Sequence, residues 1–194
     1  MEIYLVRHGM TKENQRHLYY GKTDTGLCSE GKRQVMKQKE WALEQDFDDV
    51  YVSPLLRAVE TVELLLPGKT YRLESRLEER NFGIFENKTY QQIVEMYPEE
   101  SKKWEQDWMY YQIPEGESFY DVQMRINQFA KELSQKEYDK VLIVSHKGTI
   151  IQLITALLEL PKESFWKFTL EQGCYSKISI TYGNAVLTAL NQEM

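Results

Sequence analysis

The chain has 194 residues, of which 42% are hydrophobic and 28% are charged. These proportions are typical of water-soluble globular proteins, and we expect one α/β domain over residues 1–194. No apolar run approaches the roughly 20 residues that a membrane-spanning helix needs. The net charge of −6 argues against a general role on nucleic acids or membrane surfaces.

The amino terminus and the cysteines favour a cytoplasmic protein. Residues 1–4 lack the basic segment of a signal peptide and lead directly into an apolar run. Cys28 and Cys174 lie far apart in the chain and are expected to be reduced thiols.

Three β-rich apolar runs are predicted to be strands, and each is followed by polar side chains. The runs cover residues 3–6, 50–52 and 141–144. The polar residues that follow them are Arg7 and His8, Ser53 and Arg57, and Ser145 and His146. Ligands of open α/β sheets bind at the carboxyl ends of the strands. If the strands are parallel neighbours, Arg7, His8, Arg57 and His146 converge on one crevice. The alternative is three ordinary strands that end in polar residues at the surface.

Helices are predicted between and after these strands, as in βαβ units. The predicted helices cover residues 30–43 with Ser29 as the cap, 54–66 with Ser53 as the cap and Pro54 in first position, a long segment capped by Ser118, and 149–158. Two late strands, over residues 178–180 and 185–187, are joined by a turn at Gly183-Asn184. Together these elements predict a three-layer α/β fold with a mostly parallel central sheet.

Residues 85–114 interrupt the alternation of strands and helices and are rich in Glu, Lys and aromatic residues. We interpret them as a helical insertion over the crevice. Its aromatic side chains are Trp104, Trp108, Tyr110 and Tyr111. They either pack the insertion onto the body of the protein or form a stacking wall for a flat aromatic ligand.

Arg57 stands in the first turn of its predicted helix, where the helix dipole disfavours a cation. A bound anion would offset the unfavourable interaction between the Arg57 cation and the helix dipole, because helix amino termini attract phosphate. The alternative is a surface arginine that pairs with Glu60 or another nearby acid.

The converging residues are typical of phosphoryl chemistry. Arg7 and Arg57 can grip phosphate oxygens bidentately, and His8 and His146 can act as a nucleophile and its electrophilic partner. The leaving alkoxide needs a proton donor, for which Glu79 is the leading candidate, although spacing alone does not select it. No metal-ligand spacing and no nucleotide-binding glycine motif occurs, so we expect neither a metal nor a cofactor.

Several motifs resemble the histidine phosphatase superfamily, which includes the cofactor-dependent phosphoglycerate mutases, and the resemblance runs nearly end to end. The matching segments are residues 5–14, 21–27, 53–58, 79–83, 114–118 and 144–146. Residues 104–108, 165–168 and 171–176 further resemble the α-ribazole phosphatase subfamily. Met10 stands where an acid or glutamine is common, and Lys147 where glycine is common.

The resemblance implies a role for each matching residue. His8 is similar to the histidine that becomes phosphorylated, and Glu79 to the proton donor. The residues that match the phosphate pocket are Arg7, Asn14, Arg57 and His146. The residues expected to bind the substrate are Gly21, Trp104, Trp108 and Lys147.

The expected activity is metal-independent hydrolysis of a small-molecule phosphate monoester through phosphohistidine, and the α-ribazole motifs imply a role in cobalamin synthesis. Within the superfamily, a phosphoglycerate mutase or a broad-specificity phosphatase is the alternative. A phosphate-binding protein without turnover is a further alternative. No nucleic-acid or membrane partner is expected, and a homodimer is left open.

Overall fold

A computed structural model describes residues 1–193. Its central sheet has six strands in the order β3-β2-β4-β1-β5-β6. The strands are β1 (Glu2–Arg7), β2 (Asp49–Val52), β3 (Arg72–Leu73), β4 (Lys140–Ser145), β5 (Tyr175–Thr181) and β6 (Asn184–Gln192). Strands β1 to β4 are parallel, whereas β5 and β6 are antiparallel at one edge. The three strands predicted to be parallel neighbours therefore lie side by side.

Helices cover both faces of the sheet. They are α1 (Lys12–Gln15), α2 (Ser29–Lys37), α3 (Lys39–Glu44), α4 (Leu56–Leu65), α5 (Tyr90–Met96), α6 (Pro98–Gln106), α7 (Phe119–Ser134) and α8 (Lys147–Leu157). Short 3₁₀ turns cover Ser75–Leu77, Gly83–Phe85 and Lys162–Lys167. Successive side chains of a strand point to opposite faces, so Ile3 and Leu5 pack with α7 and α8. Tyr4 and Val6 pack with α2 to α4 on the other face, which gives the predicted three layers.

The register places the carboxyl ends of the parallel strands at one level. Arg7 of β1 lies opposite Ser145 of β4, and Val52 of β2 lies opposite Val144. The residues that follow each strand therefore meet at one edge of the sheet, as the sequence predicts.

The helix predicted over residues 30–43 is broken at Gln38. The backbone N–H of Gln38 bonds to the carbonyl of Val35, three residues back, and Gln38 both ends α2 and precedes α3. Ser29 is not the cap of α2, because Cys28 occupies that position without a side-chain bond. The cap of α7 is as predicted, since Ser118 and Asp121 form a reciprocal capping box.

The hairpin of β5 and β6 turns at Tyr182 and Gly183, whose φ values are 51° and 78°. Two consecutive residues with positive φ form the turn that best matches the twist of an antiparallel hairpin. The predicted turn at Gly183-Asn184 is therefore one residue too late, because Asn184 already belongs to β6.

The predicted insertion consists of the Gly83–Phe85 turn, α5 and α6, and it has a small core of its own around Phe85, Ile93 and Ile113. Within residues 1–193, no helix combines the length and apolarity needed to cross a membrane.

Candidate active site

The four residues that follow the parallel strands converge as predicted, and we call Arg7, His8, Arg57 and His146 the basic pocket. Arg7 ends β1, His8 follows it, and His146 caps the amino terminus of α8 directly after β4. Arg57 lies in the first turn of α4. The rings of His8 and His146 have their centroids 5.1 Å apart. His146 and Arg57 are fully buried, and His8 nearly so.

The hydrogen bond of His8 leaves one ring nitrogen free. Its Nδ1 lies 2.8 Å from the carbonyl oxygen of Gly9, which can only accept, so Nδ1 carries the proton and Nε2 keeps its lone pair. Burial and the charges of Arg57 and Arg7 hold the pKa of His8 well below its usual value. The neutral ring has the form that an attack on phosphorus requires.

Arg57 is held from several sides by neutral groups. Its guanidinium donates to the carbonyls of Gly21 at 2.8 Å and Thr23 at 3.0 Å and lies over the ring of Tyr20 at 4.7 Å. Glu60 is not its partner, because the Glu60 carboxylate accepts the backbone N–H of Leu27. The surface-pairing alternative is therefore wrong.

Ser53 was predicted to cap a helix, but it lies against His146 instead. Helix α4 begins at Leu56, and Ser53 Oγ is 2.7 Å from Nε2 of His146. Arg57 Nε donates to Nδ1 of the same ring at 3.1 Å, so Nδ1 accepts and Nε2 donates to Ser53. Burial and the charge of Arg57 keep the pKa of His146 well below its usual value.

Arg7 supplies the second cation of the pocket and is partly buried. Its Nη1 donates to the carbonyl of Leu170 at 2.7 Å, and its buried Nε has no hydrogen-bond partner within residues 1–193. Burial lowers the pKa of both Arg7 and Arg57, but a guanidinium stays charged in proteins. Two cations whose hydrogen bonds go to neutral acceptors make this pocket a site for an anion.

Glu79 stands between the basic pocket and the insertion. Its carboxylate accepts the backbone N–H of Gly148 at 3.0 Å, the backbone N–H of Arg80 at 3.1 Å and the Thr149 hydroxyl at 3.2 Å. Gly148 is in the first turn of α8, directly after His146 and Lys147. These bonds fix the Glu79 carboxyl group beside the pocket, where the candidate proton donor is needed.

Asn14 and Gly21 have structural partners of their own. Asn14 Oδ1 closes the capping box of α1 with Thr11 and accepts from Gln172 Nε2 at 2.7 Å. These partners lie outside the basic pocket, so a phosphoryl contact by Asn14 stays a prediction. Gly21 is packed so tightly that a Cβ there would lie 1.6 Å from the Arg80 carbonyl oxygen. Its own carbonyl positions Arg57, and its predicted contact with substrate stays a prediction.

Glu86 organises the loop that holds Arg57, which the sequence did not indicate. Its carboxylate accepts the backbone N–H groups of Gly21, Lys22, Thr23 and Phe82 at 2.8–3.1 Å. The Thr23 hydroxyl donates to it as well. Since the carbonyls of Gly21 and Thr23 hold Arg57, Glu86 supports the pocket without being part of it.

A cavity of about 480 Å³ opens beside Glu79 and Gly148, between the insertion and α8. Trp104 and Trp108 line it as predicted, whereas Tyr110 and Tyr111 are not among its lining residues. Trp104 also packs against Tyr19 and Phe85, which agrees with the packing alternative, and the stacking of a flat ligand on the tryptophans stays a prediction.

One wall of the cavity is a closed group of rings that we call the aromatic quartet. Its members are Trp108, Phe119, Phe165 and Trp166. Each ring meets two others edge-on, with centroids 4.8–5.4 Å apart. Phe119 and Phe165 come from segments far apart in the sequence, so helical periodicity alone could not place them together.

Two cations stand at the cavity. Lys147 lines it with an exposed side chain. Arg80 is buried, and its guanidinium lies over the rings of Phe82 and Trp104 at 5.7 and 5.8 Å. Burial lowers the pKa of Arg80 to about 10, so it is charged at neutral pH.

Comparisons with known proteins agree with this geometry. An adenosylcobalamin/alpha-ribazole phosphatase of Escherichia coli (strain K12) is 32% identical over 196 residues, which cover 100% of this chain and 97% of that protein. The crystal structure of the alpha-ribazole phosphatase from Shigella flexneri superposes with a TM-score of 0.93 at 34% identity, covering 99% of this chain and 96% of that one. Phosphoserine phosphatase 1 of Hydrogenobacter thermophilus is 27% identical, with coverage of 98% and 92%.

The family model of the histidine phosphatase superfamily (branch 1) matches residues 3–193. This match includes the whole of the basic pocket and every strand of the sheet, except for Glu2 at the start of β1. The chain belongs to the histidine phosphatase superfamily.

Proposed function

We propose that this protein hydrolyses α-ribazole 5′-phosphate through a phosphohistidine on His8, as a step in the assembly of the cobalamin nucleotide loop. The observation that carries the proposal is the cavity beside Glu79. It is largely apolar, it carries the aromatic quartet, and its volume is in the range of small-molecule sites. The leaving group of α-ribazole 5′-phosphate is a riboside with a flat bicyclic base, which has the shape and chemistry to fill this cavity.

The geometry supports a two-step reaction. His8 Nε2 attacks phosphorus, and the P–N bond forms as the bond to the leaving oxygen breaks. Arg7 and Arg57 neutralise the oxygens of the transferring group, while Glu79, which enters this step in its protonated form, gives its proton to the leaving oxygen. Water then attacks the phosphohistidine and gives a proton to Glu79, which releases phosphate and free His8.

His146 gains a role when the phosphoryl group arrives. Its Nδ1 faces Arg57 Nε, and a dianion at that position favours a protonated ring by direct charge attraction. Ser53 keeps the ring oriented from the other side. In that state Arg57 turns its Nε–H from Nδ1 of His146 to the phosphoryl group, Nδ1 takes up a proton from solvent, and the protonated ring donates from Nδ1 to an equatorial oxygen.

The alternative substrates within the superfamily are smaller and more polar. Phosphoserine and 3-phosphoglycerate carry carboxylates, and neither can fill an aromatic cavity of this size. The aromatic quartet gives such small leaving groups little surface to pack against, and within residues 1–193 the cavity cations with which their carboxylates can pair are Lys147 and Arg80 alone.

A substrate panel tests the proposal. Values of kcat/KM are measured for α-ribazole 5′-phosphate, ribose 5-phosphate, phosphoserine and 3-phosphoglycerate, each with and without EDTA. We expect the first to be preferred and chelation to leave its rate unchanged. A preference for phosphoserine or 3-phosphoglycerate would remove the substrate assignment, and metal-dependent activity would remove the mechanism.

A variant of the aromatic quartet sharpens the panel. Trp166 is 67% exposed, so Trp166→Ala can be made with little harm to the core. It should raise KM for α-ribazole 5′-phosphate and leave KM for ribose 5-phosphate unchanged, because only the former has a base to stack. Tyr182→Ala, at the exposed turn between β5 and β6, is the matched control.

A further inference from the structure

Gln152 is a buried polar residue that the reaction so far does not use. It lies on α8, is 2% exposed, and lines the cavity next to Ile151. Its Oε1 is fully buried and has no hydrogen-bond partner within residues 1–193. Buried polar atoms in proteins are almost always hydrogen-bonded, so an unpartnered amide oxygen at a ligand cavity indicates a missing donor.

The cavity distinguishes Gln152 from similar residues. Gln38 and Gln123 also carry a buried oxygen without a partner within the described chain, but neither is among the cavity's lining residues. The terminal torsion of a glutamine is soft. A small rotation therefore presents either the oxygen or the NH₂ group of Gln152 to a molecule in the cavity.

The position of Gln152 selects which part of a substrate it meets. Gly148, whose N–H holds the Glu79 carboxylate, is one turn earlier on the same helix face, and both residues line the cavity. Four residues of helix advance about 6 Å. Gln152 is thus displaced along the helix by about that distance from Gly148, which holds the carboxylate that serves the leaving oxygen. This separation is comparable to the size of a pentose ring.

We propose that Gln152 determines specificity by binding a ribose hydroxyl of the leaving group. The hydroxyl donates to Oε1 and accepts from Nε2, so both ends of the carboxamide gain a partner. A ring nitrogen of the base could only accept and would leave Oε1 unpartnered. This inference rests on the proposed function and extends it, because it assigns the sugar, and not only the base, to a residue of the cavity.

Deoxy substrates test the inference. The wild type and the variants Gln152→Met and Gln152→Glu are compared on α-ribazole 5′-phosphate and on its 2′-deoxy and 3′-deoxy analogues. In the wild type, one of the analogues should lose roughly 3- to 10-fold in kcat/KM, the usual range for one neutral hydrogen bond. Gln152→Met should remove this discrimination, and Gln152→Glu, which keeps an acceptor, should retain it.

The ratio of two kcat/KM values within one enzyme does not depend on the fraction of folded protein, so a partly unfolded variant still gives an answer. Ile151→Val is the matched control, since it changes the neighbouring apolar wall and should leave the ratio as in the wild type. Equal kcat/KM for the ribo and both deoxy substrates in the wild type would overturn the inference alone, as would discrimination that survives in Gln152→Met. A wild type that prefers phosphoserine to α-ribazole 5′-phosphate would overturn the proposed function and this inference with it.

Discussion

The two histidines of the basic pocket are both buried and neutral, yet they present opposite ring nitrogens. His8 donates from Nδ1 to Gly9 and keeps Nε2 free, whereas His146 donates from Nε2 to Ser53 and accepts at Nδ1. One carbonyl, that of Gly9, and one guanidinium, that of Arg57, therefore decide which ring can attack and which can receive a proton. Identical side chains take different roles because their hydrogen-bond partners differ.

His8→Ala should abolish turnover and phosphoenzyme formation, because it removes the only free ring nitrogen that we assign to attack. The measurement is rapid quench with a ³²P-labelled substrate, followed by mapping of acid-labile label in the wild type. Stabilisation of the variant by inorganic phosphate in thermal melting shows that Arg7 and Arg57 still form the pocket. Label on a serine or an aspartate would contradict the mechanism.

Glu79→Gln keeps the shape of the side chain but has no proton to give. An alkyl leaving group needs that proton, so phosphoenzyme formation on α-ribazole 5′-phosphate should slow by roughly 10²–10⁴-fold. Formation on p-nitrophenyl phosphate should slow much less, since nitrophenolate leaves unaided. Burst-phase kinetics are required, because Glu79 also serves the second step. Equal slowing on both substrates would mean that Glu79 acts by charge or position.

At the scale of elements, the loop before α2 and the insertion depend on one another through Glu86. Glu86 follows the Gly83–Phe85 turn, and its carboxylate gathers the backbone N–H groups of Gly21 and Thr23, whose carbonyls face Arg57. A carboxylate with several backbone donors is a strong anchor. The insertion thus positions a cation of the pocket as well as lining the cavity.

Glu86→Gln should loosen this loop, because the amide places an NH₂ group against backbone donors. We expect a loss of about 1–3 kcal/mol in the free energy of unfolding and roughly a tenfold fall in kcat/KM on every phosphate ester, which corresponds to about 1.4 kcal/mol. Urea unfolding and steady-state kinetics measure the two effects. Glu44→Gln, at the exposed end of α3, is the control, and a fall confined to aromatic substrates would contradict this account.

At the scale of the whole molecule, an acidic chain with a net charge of −6 keeps the buried Arg57 and the partly buried Arg7 at one edge of the sheet. The same burial that concentrates this charge keeps His8 and His146 neutral. Both rings are neutral in the folded protein and would bind protons once they are exposed in the unfolded chain. The free energy of unfolding therefore depends on pH.

Stability should fall as the pH drops below about 6.5, the ordinary pKa of histidine. The unfolded chain takes up protons on His8 and His146 there, while the folded chain, with both pKa values lowered, does not. The limiting slope is about 1.4 kcal/mol per pH unit for each histidine. Urea unfolding between pH 7 and 5 in phosphate-free buffer measures it. His8→Ala should have a shallower slope than the wild type, and equal slopes would contradict this assignment.

The sequence by itself determined every strand except β3, the layered fold, the capped start of α7 and the residues of the basic pocket. These features follow from local signals, since apolar runs, capping residues and polar strand ends are read within a few neighbouring positions. Residues 7, 8, 57 and 146 could be brought together because parallel strands place their carboxyl ends at one edge. The resemblance of the motifs then supplied the superfamily, which the comparisons confirmed.

Only the tertiary structure decided the break of the predicted helix at Gln38, the contact of Ser53 with His146, the anchoring by Glu86 and the cavity of the aromatic quartet. Each depends on contacts between residues distant in the chain, such as Phe119 with Phe165 or Glu86 with Gly21. Local propensity carries no information on such contacts, because tertiary packing decides which residues a buried side chain contacts. The residues of the basic pocket were thus readable from the sequence, while the aromatic quartet beside them was not.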